Sequence, residues 1–452
     1  MAVPRARAER RRALVVGGGL AGLAAARDLR RRLRVTVVDA KEYFEFTPGI
    51  MRAYAKPSHW DSLVFMYHQA LEHNWHVKFV WGEVLEIDAE RKQAKVKSMF
   101  AQLEDMVPFD FCVIAGGCNF NPLSSTGASP WFPSIHESEI AHSQLDERFL
   151  EGRRRRILAE HLHLRQLDMQ KASVLIVGAG YTSVEWACEL CHFFPHLQIT
   201  VCDFLPRCLG PLPEAAAQYC ENYMARMGIR TSYGLKFDRQ SREFWEKVGL
   251  PDGAAKIYIL SGVKNSNYFM PRETLSDRGP GGGGWIMVNV QLQVVERHSG
   301  RPWGDGCVFA VGDCAIGSVG ESPNWVLAPM PKTAYPAEQQ AVHACRNVRV
   351  LDRAFAALAA PPALKPSWYP WGAGTYAISL GVQDGCVVVG ASGERGSGSV
   401  AARGLIATVQ KEIIESTKIA QCRGDSTLAH FIWWMIHYWP VNLWGHGPLL
   451  SI

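Results

Sequence analysis

Two short stretches of this chain carry residue types that could hold a flat, charged cofactor. Residues 13–25 read ALVVGGGLAGLAA and residues 174–186 read VLIVGAGYTSVEW. In the first, Gly17, Gly19 and Gly22 occupy the three positions of GxGxxG; in the second, Gly178 and Gly180 are followed by Ser183 in the third. An acid stands at a matching offset after each, Asp39 twenty-two residues past Gly17 and Asp203 twenty-five past Gly178. The spacing has a physical reading. The first glycine allows a tight turn, the second lets a pyrophosphate approach the backbone, and the third lets a helix pack closely on its strand. The carboxylate then stands where a ribose hydroxyl arrives, while the helix N-terminal dipole faces the phosphates.

Such turns need strands and helices to aim them. Leu14–Val16 and Val174–Val177 read as short buried strands, each followed by a helix, and Val35–Val38 and Gln198–Cys202 read as the strands that deliver the two acids. Two further strands end in small residues: DFCVIAGG (110–117), which presents Gly116, and CVFAVGDC (307–314), which closes on Gly312 and Asp313. They flank the second turn in sequence, which predicts one nucleotide domain interrupted by another. The predicted fold is α/β, with two Rossmann-like domains, the second inserted into the first, and a C-terminal region ending in an amphipathic helix. The outer domain is placed at 1–125 and 296–350, a connecting helical segment at 126–170, the inserted domain at 171–295, and the C-terminal region at 351–452, for membrane association or dimerisation.

Bulk properties narrow the choice. A chain of 452 residues suggests two or three domains. No stretch approaches the roughly 18–20 apolar residues of a membrane span, and a net charge of +5 does not point to nucleic acid. Basic clusters at Arg5–Arg12, Arg30–Arg34 and Arg153–Arg156 predict solvated faces, with an anionic membrane surface as the alternative partner. The arginine-rich start also faintly resembles a mitochondrial presequence. Twelve cysteines form neither a disulfide scaffold nor a zinc pattern, and no metal site is predicted; Cys188 and Cys191 read as buried helical residues. LAHFIWWMIHYW (428–439) is too short to cross a bilayer. On a helix, Leu428, Phe431, Ile432, Met435, Ile436 and Trp439 make one apolar stripe, suited to an interface or to the protein's own core or a dimer. The Gly/Ser-rich segment between Ala391 and Arg403 predicts a loop.

The series GGGLAG, IAGG, GAGYTSVE and VFAVGDC resembles the two-dinucleotide-binding flavoproteins. KEYFEFTP (41–48), GRRRRIL (152–158), TSVEWACEL (182–190) and PKTAYPAEQQA (331–341) resemble, more narrowly, type II NADH dehydrogenases (NADH:quinone oxidoreductases). The resemblance implies FAD on the first turn, with Gly17, Gly19, Gly22 and Asp39 holding it. Phe44, Phe46 and Pro48 would wall the flavin ring, Asp313 would lie near the ribityl chain, and Thr47, Gly116 and Gly312 would also bind the cofactor. It implies NADH on Gly178, Gly180 and Asp203; Arg207 nearby could soften the preference over NADPH. The implied cycle passes hydride from NADH to flavin N5 and then two electrons to a membrane quinone, without proton pumping. Glu185, Gln339 and Gln340 are the implied catalytic residues. Tyr335 stands where that family usually has Gln, and Pro336 follows it.

Implied partners are NAD(P)H, a quinone and a peripheral membrane surface, with a homodimer as one arrangement and the mitochondrial inner membrane as the location. The first cysteine is Cys112, far past the first turn, which excludes the dithiol route of related disulfide reductases. Three alternatives stay open: an apoptosis-inducing-factor-like NAD(P)H quinone reductase, a sulfide:quinone oxidoreductase using Cys118 and Cys345, and a catalytically degenerate flavoprotein subunit.

Overall fold

The architecture comes from a computed structural model that describes residues 10–99, 104–119, 146–320, 326–328, 330–360, 362–367, 374–391, 396–425 and positions 428, 431 and 435. Two compact units emerge. One comprises Met1–Phe44, Met66–Cys118 and Asn265–Pro370; the other comprises Glu45–Phe65, Asn119–Lys264 and Trp371–Ile452.

The first unit is built on a seven-stranded sheet in the order Val308–Ala310, Phe111–Ile114, Arg12–Val16, Arg34–Asp39, Lys78–Asp88, Gln93–Ser98, Glu104–Pro108. Its first five strands run parallel; Gln93–Ser98 returns antiparallel to them, and Glu104–Pro108 pairs antiparallel with it. Val15 pairs with Val37 and Val16 with Ile114, so the strand ends that lead into the glycine turn and the acid share one edge. Leu14, Val15, Val37, Val113, Ile114 and Phe309 are all fully buried. Burial on both faces is what an uninterrupted apolar strand requires. Helices Leu20–Leu29 and Ala334–Ala356 pack on one another in this unit.

The second unit repeats the plan on a smaller scale. Its parallel sheet runs Arg230–Tyr233, Gln198–Asp203, Ser173–Val177, Lys256–Ile259, with Val177 paired to both Cys202 and Ile259. The reading of an α/β fold with Rossmann-like parallel sheets therefore stands. The same unit holds an antiparallel sheet of Gly374–Leu380, Asp384–Ala391 and Ser399–Arg403, covered by helix Leu405–Arg423.

Two expectations are corrected here. Ser399–Arg403, within the predicted loop, is an edge strand paired with Cys386–Val389. Its Ser-Val-Ala-Ala-Arg stretch is small and extended enough to pair, and Gly398 and Gly404, at φ +93 and +68, confine the turning to its ends. The cluster Arg153–Arg156 is not one solvated face. Arg154 and Arg155 are exposed, but helix Leu150–Met169 turns Arg153 inward with Ile157 and Leu164, leaving it 4% exposed. At 3.6 residues per turn neighbouring arginines cannot share a face.

Of the predicted tail stripe, Leu428, Phe431 and Met435 are helical, and Leu428 and Phe431 are exposed. Ile432, Ile436 and Trp439 lie outside the described residues, as do Arg5 and Arg7. Among the described residues, no helix is long and apolar enough to cross a membrane.

Candidate dinucleotide sites

The first turn is closed by main-chain geometry that needs glycine. Gly17 adopts φ +95 and donates its N–H to Val38 O at 2.8 Å. A Cβ on Gly17 would lie 2.4 Å from Ala115 O, and one on Gly22 only 1.8 Å from Gly17 O. Gly19 differs, because among the described residues nothing lies within 4 Å of its Cβ position. That space opens at the start of helix Leu20–Leu29, whose leading N–H groups have no partner within the helix. Asp39 completes the rim, taking the Gly18 N–H on Oδ2 at 2.6 Å and the Lys41 N–H on Oδ1 at 2.7 Å.

The second turn shares the positive φ of the first glycine, the open second position and the paired acid, but not the third glycine. Gly178 adopts φ +102 and donates to Cys202 O at 2.8 Å, and no atom of the described residues lies within 4 Å of the Gly180 Cβ position. Asp203 takes the Ala179 N–H at 2.6 Å and the Leu205 N–H at 2.8 Å. Ser183, in the third position, is fully buried on helix Tyr181–Phe193, and its hydroxyl has no partner among the described residues.

Other singled-out residues gather at the first turn. Gly116 Cα lies 3.2 Å from the Gly17 Cβ position, and the Gly312 Cβ position lies 3.6 Å from Ala21 Cβ. Gly312 donates its N–H to Gln340 Oε1 at 2.7 Å, which buries Gln340 as an anchor of that turn and leaves its Nε2 unpartnered. Gln339 is half-buried beside it. Lys332 Nζ donates to Asp313 O at 2.7 Å, while Asp313 Oδ1 has no hydrogen-bond partner among the described residues. Desolvation pushes the Asp313 carboxyl up to about 6, against the opposing pull of Lys332.

Phe46, Thr47 and Pro48 belong to the second unit. Phe46 is buried, Pro48 half-buried and Thr47 exposed, its hydroxyl donating to Glu45 O at 3.4 Å. Glu185 lies near the start of helix Tyr181–Phe193, and its Oε1 accepts from Lys411 Nζ, from Ser379 N at 2.9 Å and from Ser379 Oγ at 3.2 Å. Lys411 also donates to Ser379 Oγ at 2.9 Å, and Tyr181 stacks on Tyr376 with centroids 5.6 Å apart. Sequence reasoning missed Ser379 and Lys411, which stand 194 and 226 residues beyond Glu185 with no local pattern to mark them.

It also missed the role of Glu45, which meets Arg153 in the interior. Only the place of Glu45 between Phe44 and Phe46 in KEYFEFTP hinted at it. Of the nominated cysteines, Cys118 Sγ lies 4.0 Å from Asp313 Oδ2, and Cys345 is fully buried against Ala25 O. Ten of the twelve cysteines are buried. Among the described residues no cluster of acids, histidines and cysteines could hold a metal.

Comparison with known proteins agrees with this arrangement. The chain is 25% identical to the type II NADH:quinone oxidoreductase of Haemophilus influenzae over 373 residues, covering 75% of this chain and 80% of that protein. In fold it is similar to the sulfide:quinone oxidoreductase of Aquifex aeolicus, with TM-score 0.67, 15% identity and 94% and 95% of the two chains covered. It is also similar to NDH2 of Plasmodium falciparum in complex with NADH, with TM-score 0.61, 12% identity and 97% and 99% covered. The pyridine nucleotide-disulphide oxidoreductase family model matches residues 11–341, spanning both glycine turns and the Gly312–Asp313 strand end, and the chain belongs to that family.

Proposed function

We propose that the chain is an FAD-dependent NADH:quinone oxidoreductase. The observation that carries this reading is the pair of matched turns, each with open space at its second glycine and a carboxylate fixed at its rim. Similarity to a type II NADH:quinone oxidoreductase over three-quarters of the chain supports the acceptor class.

The first turn fits FAD. The space at Gly19 suits a pyrophosphate, Asp39 a ribose hydroxyl, and the unpartnered Oδ1 of Asp313 a ribityl hydroxyl. FAD supplies, when bound, the two-electron chemistry that links NADH to a quinone.

The protein's own groups bind, orient and handle protons. Gly178 and Gly180 admit the NADH pyrophosphate, and the Asp203 carboxylate repels the 2′-phosphate of NADPH. Glu185 is a proton-holding or positioning group whose carboxylate Lys411 and Ser379 keep in one orientation. Gln339 and Tyr335, near the start of helix Ala334–Ala356, belong to the acceptor side in this reading. Cys345, buried with its thiol pKa driven upward by desolvation, weighs against sulfide as the donor.

The reading includes a peripheral membrane seat and turnover without proton pumping. Leu405, Ile406, Val409 and Ile413 form an exposed apolar strip on helix Leu405–Arg423, and Leu428 and Phe431 are exposed beyond it. The reading also includes a mitochondrial location, which cell fractionation tests.

The experiment is anaerobic titration of the purified protein with NADH, followed by a short-chain ubiquinone. Bleaching of bound flavin and its return on adding quinone are expected. A colourless protein, or flavin that NADH leaves oxidised, would defeat the proposal.

A further inference from the structure

A single side chain organises the bend that follows Asp203. Arg207 Nη1 donates to Cys208 O at 3.3 Å and Leu209 O at 3.4 Å, and Nη2 donates to Gly210 O at 3.1 Å and Leu212 O at 2.7 Å. A planar guanidinium carries five N–H donors in a fixed fork, so one arginine can gather several carbonyls that no other side chain could. Between them Leu209 takes φ +50, a left-handed conformation that a leucine adopts only when its surroundings impose it. Its side chain is fully buried.

What this bend touches gives it a purpose. Leu209 donates its N–H to Ala179 O at 2.8 Å. Ala179 is the middle residue of the second glycine turn, and its own N–H is held by Asp203 Oδ2 at 2.6 Å. The turn is therefore gripped on both polar groups of one residue, by the acid on the N–H and by the Arg207-gathered bend on the C=O.

We propose that Arg207 is a positioning residue for the dinucleotide: it fixes the 207–212 bend, through Leu209, against the second glycine turn and does not read the ribose 2′ position. The inference rests on the reading that NADH occupies this turn. It assigns the preference for NADH to Asp203 alone, with the nearby cation committed to main-chain carbonyls.

The test compares wild type with Arg207→Ala, using NADH and NADPH as separate donors and following flavin content in parallel. Losing charged hydrogen bonds behind the turn should raise KM for NADH about tenfold, with kcat per bound flavin little changed. The NADPH/NADH ratio of kcat/KM should stay constant, and millimolar guanidinium should partly restore the KM. An unchanged KM for NADH, or a selective loss of NADPH turnover, would overturn the proposal. Should the alanine variant fail to fold, Arg207→Lys carries the same test, since an ammonium cannot span four carbonyls and should also raise KM. Wild-type flavin that NADH does not bleach would instead sink the underlying functional reading, so the two failures are distinguishable.

Discussion

Arg153 and Glu45 form a two-pronged ion pair almost shut off from water, with Nε to Oε2 at 2.8 Å and Nη2 to Oε1 at 3.0 Å. Both side chains are about 5% exposed. The remaining valences are filled: Arg153 Nη1 reaches Tyr54 Oη at 3.0 Å and Glu147 Oε2 at 2.5 Å, and Trp60 Nε1 donates to Glu45 Oε2 at 2.9 Å. Arg153→Met would strand two carboxylates in the interior, a change that costs about 3–5 kcal/mol when one partner of a buried pair is lost. The urea midpoint should fall accordingly, and adding Glu45→Gln should recover part of it. A single variant as stable as wild type would show that the network carries no structural weight.

Gly19→Ala and Gly180→Ala separate folding from binding. Gly19 and Gly180 have φ of −64 and −74, and a methyl group at either would meet no atom. Stability of the protein without nucleotide should stay within about 0.5 kcal/mol of wild type. Binding should not survive equally. Gly19→Ala is expected to strip flavin from the purified protein, and Gly180→Ala to keep flavin but raise KM for NADH. Retention of full flavin by the first variant would contradict the placement.

Asp313 gives a pH dependence with a defined direction. Its carboxyl titrates at about 6 in the folded protein against an ordinary value near 4, so the folded state holds the proton more tightly. Its contribution to stability is complete below about pH 4 and disappears as pH rises through about 6. Asp313→Asn should flatten that part of the stability curve and make the flavin-free protein about 2 kcal/mol more stable at pH 7. Identical pH profiles for the two proteins would refute the assignment.

Glu185 should matter to turnover more than to folding. Glu185→Gln keeps an acceptor for Ser379 and removes the charge facing Lys411. A drop of about a hundredfold in kcat is expected, typical for removal of a proton-handling group. Stopped-flow measurement of NADH-driven flavin bleaching and of quinone-driven recovery will show which half-reaction slows. Wild-type rates in both would remove Glu185 from the mechanism.

Ile406 is 73% exposed on the apolar strip of helix Leu405–Arg423. Ile406→Glu should weaken co-sedimentation with anionic vesicles while sparing turnover of a water-soluble quinone. Unchanged vesicle binding, or a change in sedimentation mass without vesicles, would reassign the strip to packing between copies of the chain.

The glycine turns, their acids and the parallel strands were legible because each rests on local sequence: a period, a spacing, a residue without Cβ. Asp39 and Asp203 could be placed from their offsets alone. What eluded the sequence depends on long-range meetings. Lys411 and Ser379 reach Glu185 from a helix and a strand far along the chain, and Arg153 reads as one member of a basic run until Glu45 is brought against it. Strand Ser399–Arg403 escaped notice because its pairing partner supplies the order that its glycine-rich surroundings lack. Arg207 looked like a candidate nucleotide contact for the same reason: proximity in sequence does not reveal which carbonyls a guanidinium will take.

The state of the sulfur atoms has a consequence for durability. Burial raises Cys314 to about 11 and Cys118 and Cys202 to about 12, so at neutral pH these groups carry essentially no thiolate, the form that attacks electrophiles. Quinones arylate exposed nucleophilic sulfur, and flavins leak peroxide that oxidises it. In the quinone reductase proposed above, these three thiols would escape both reactions.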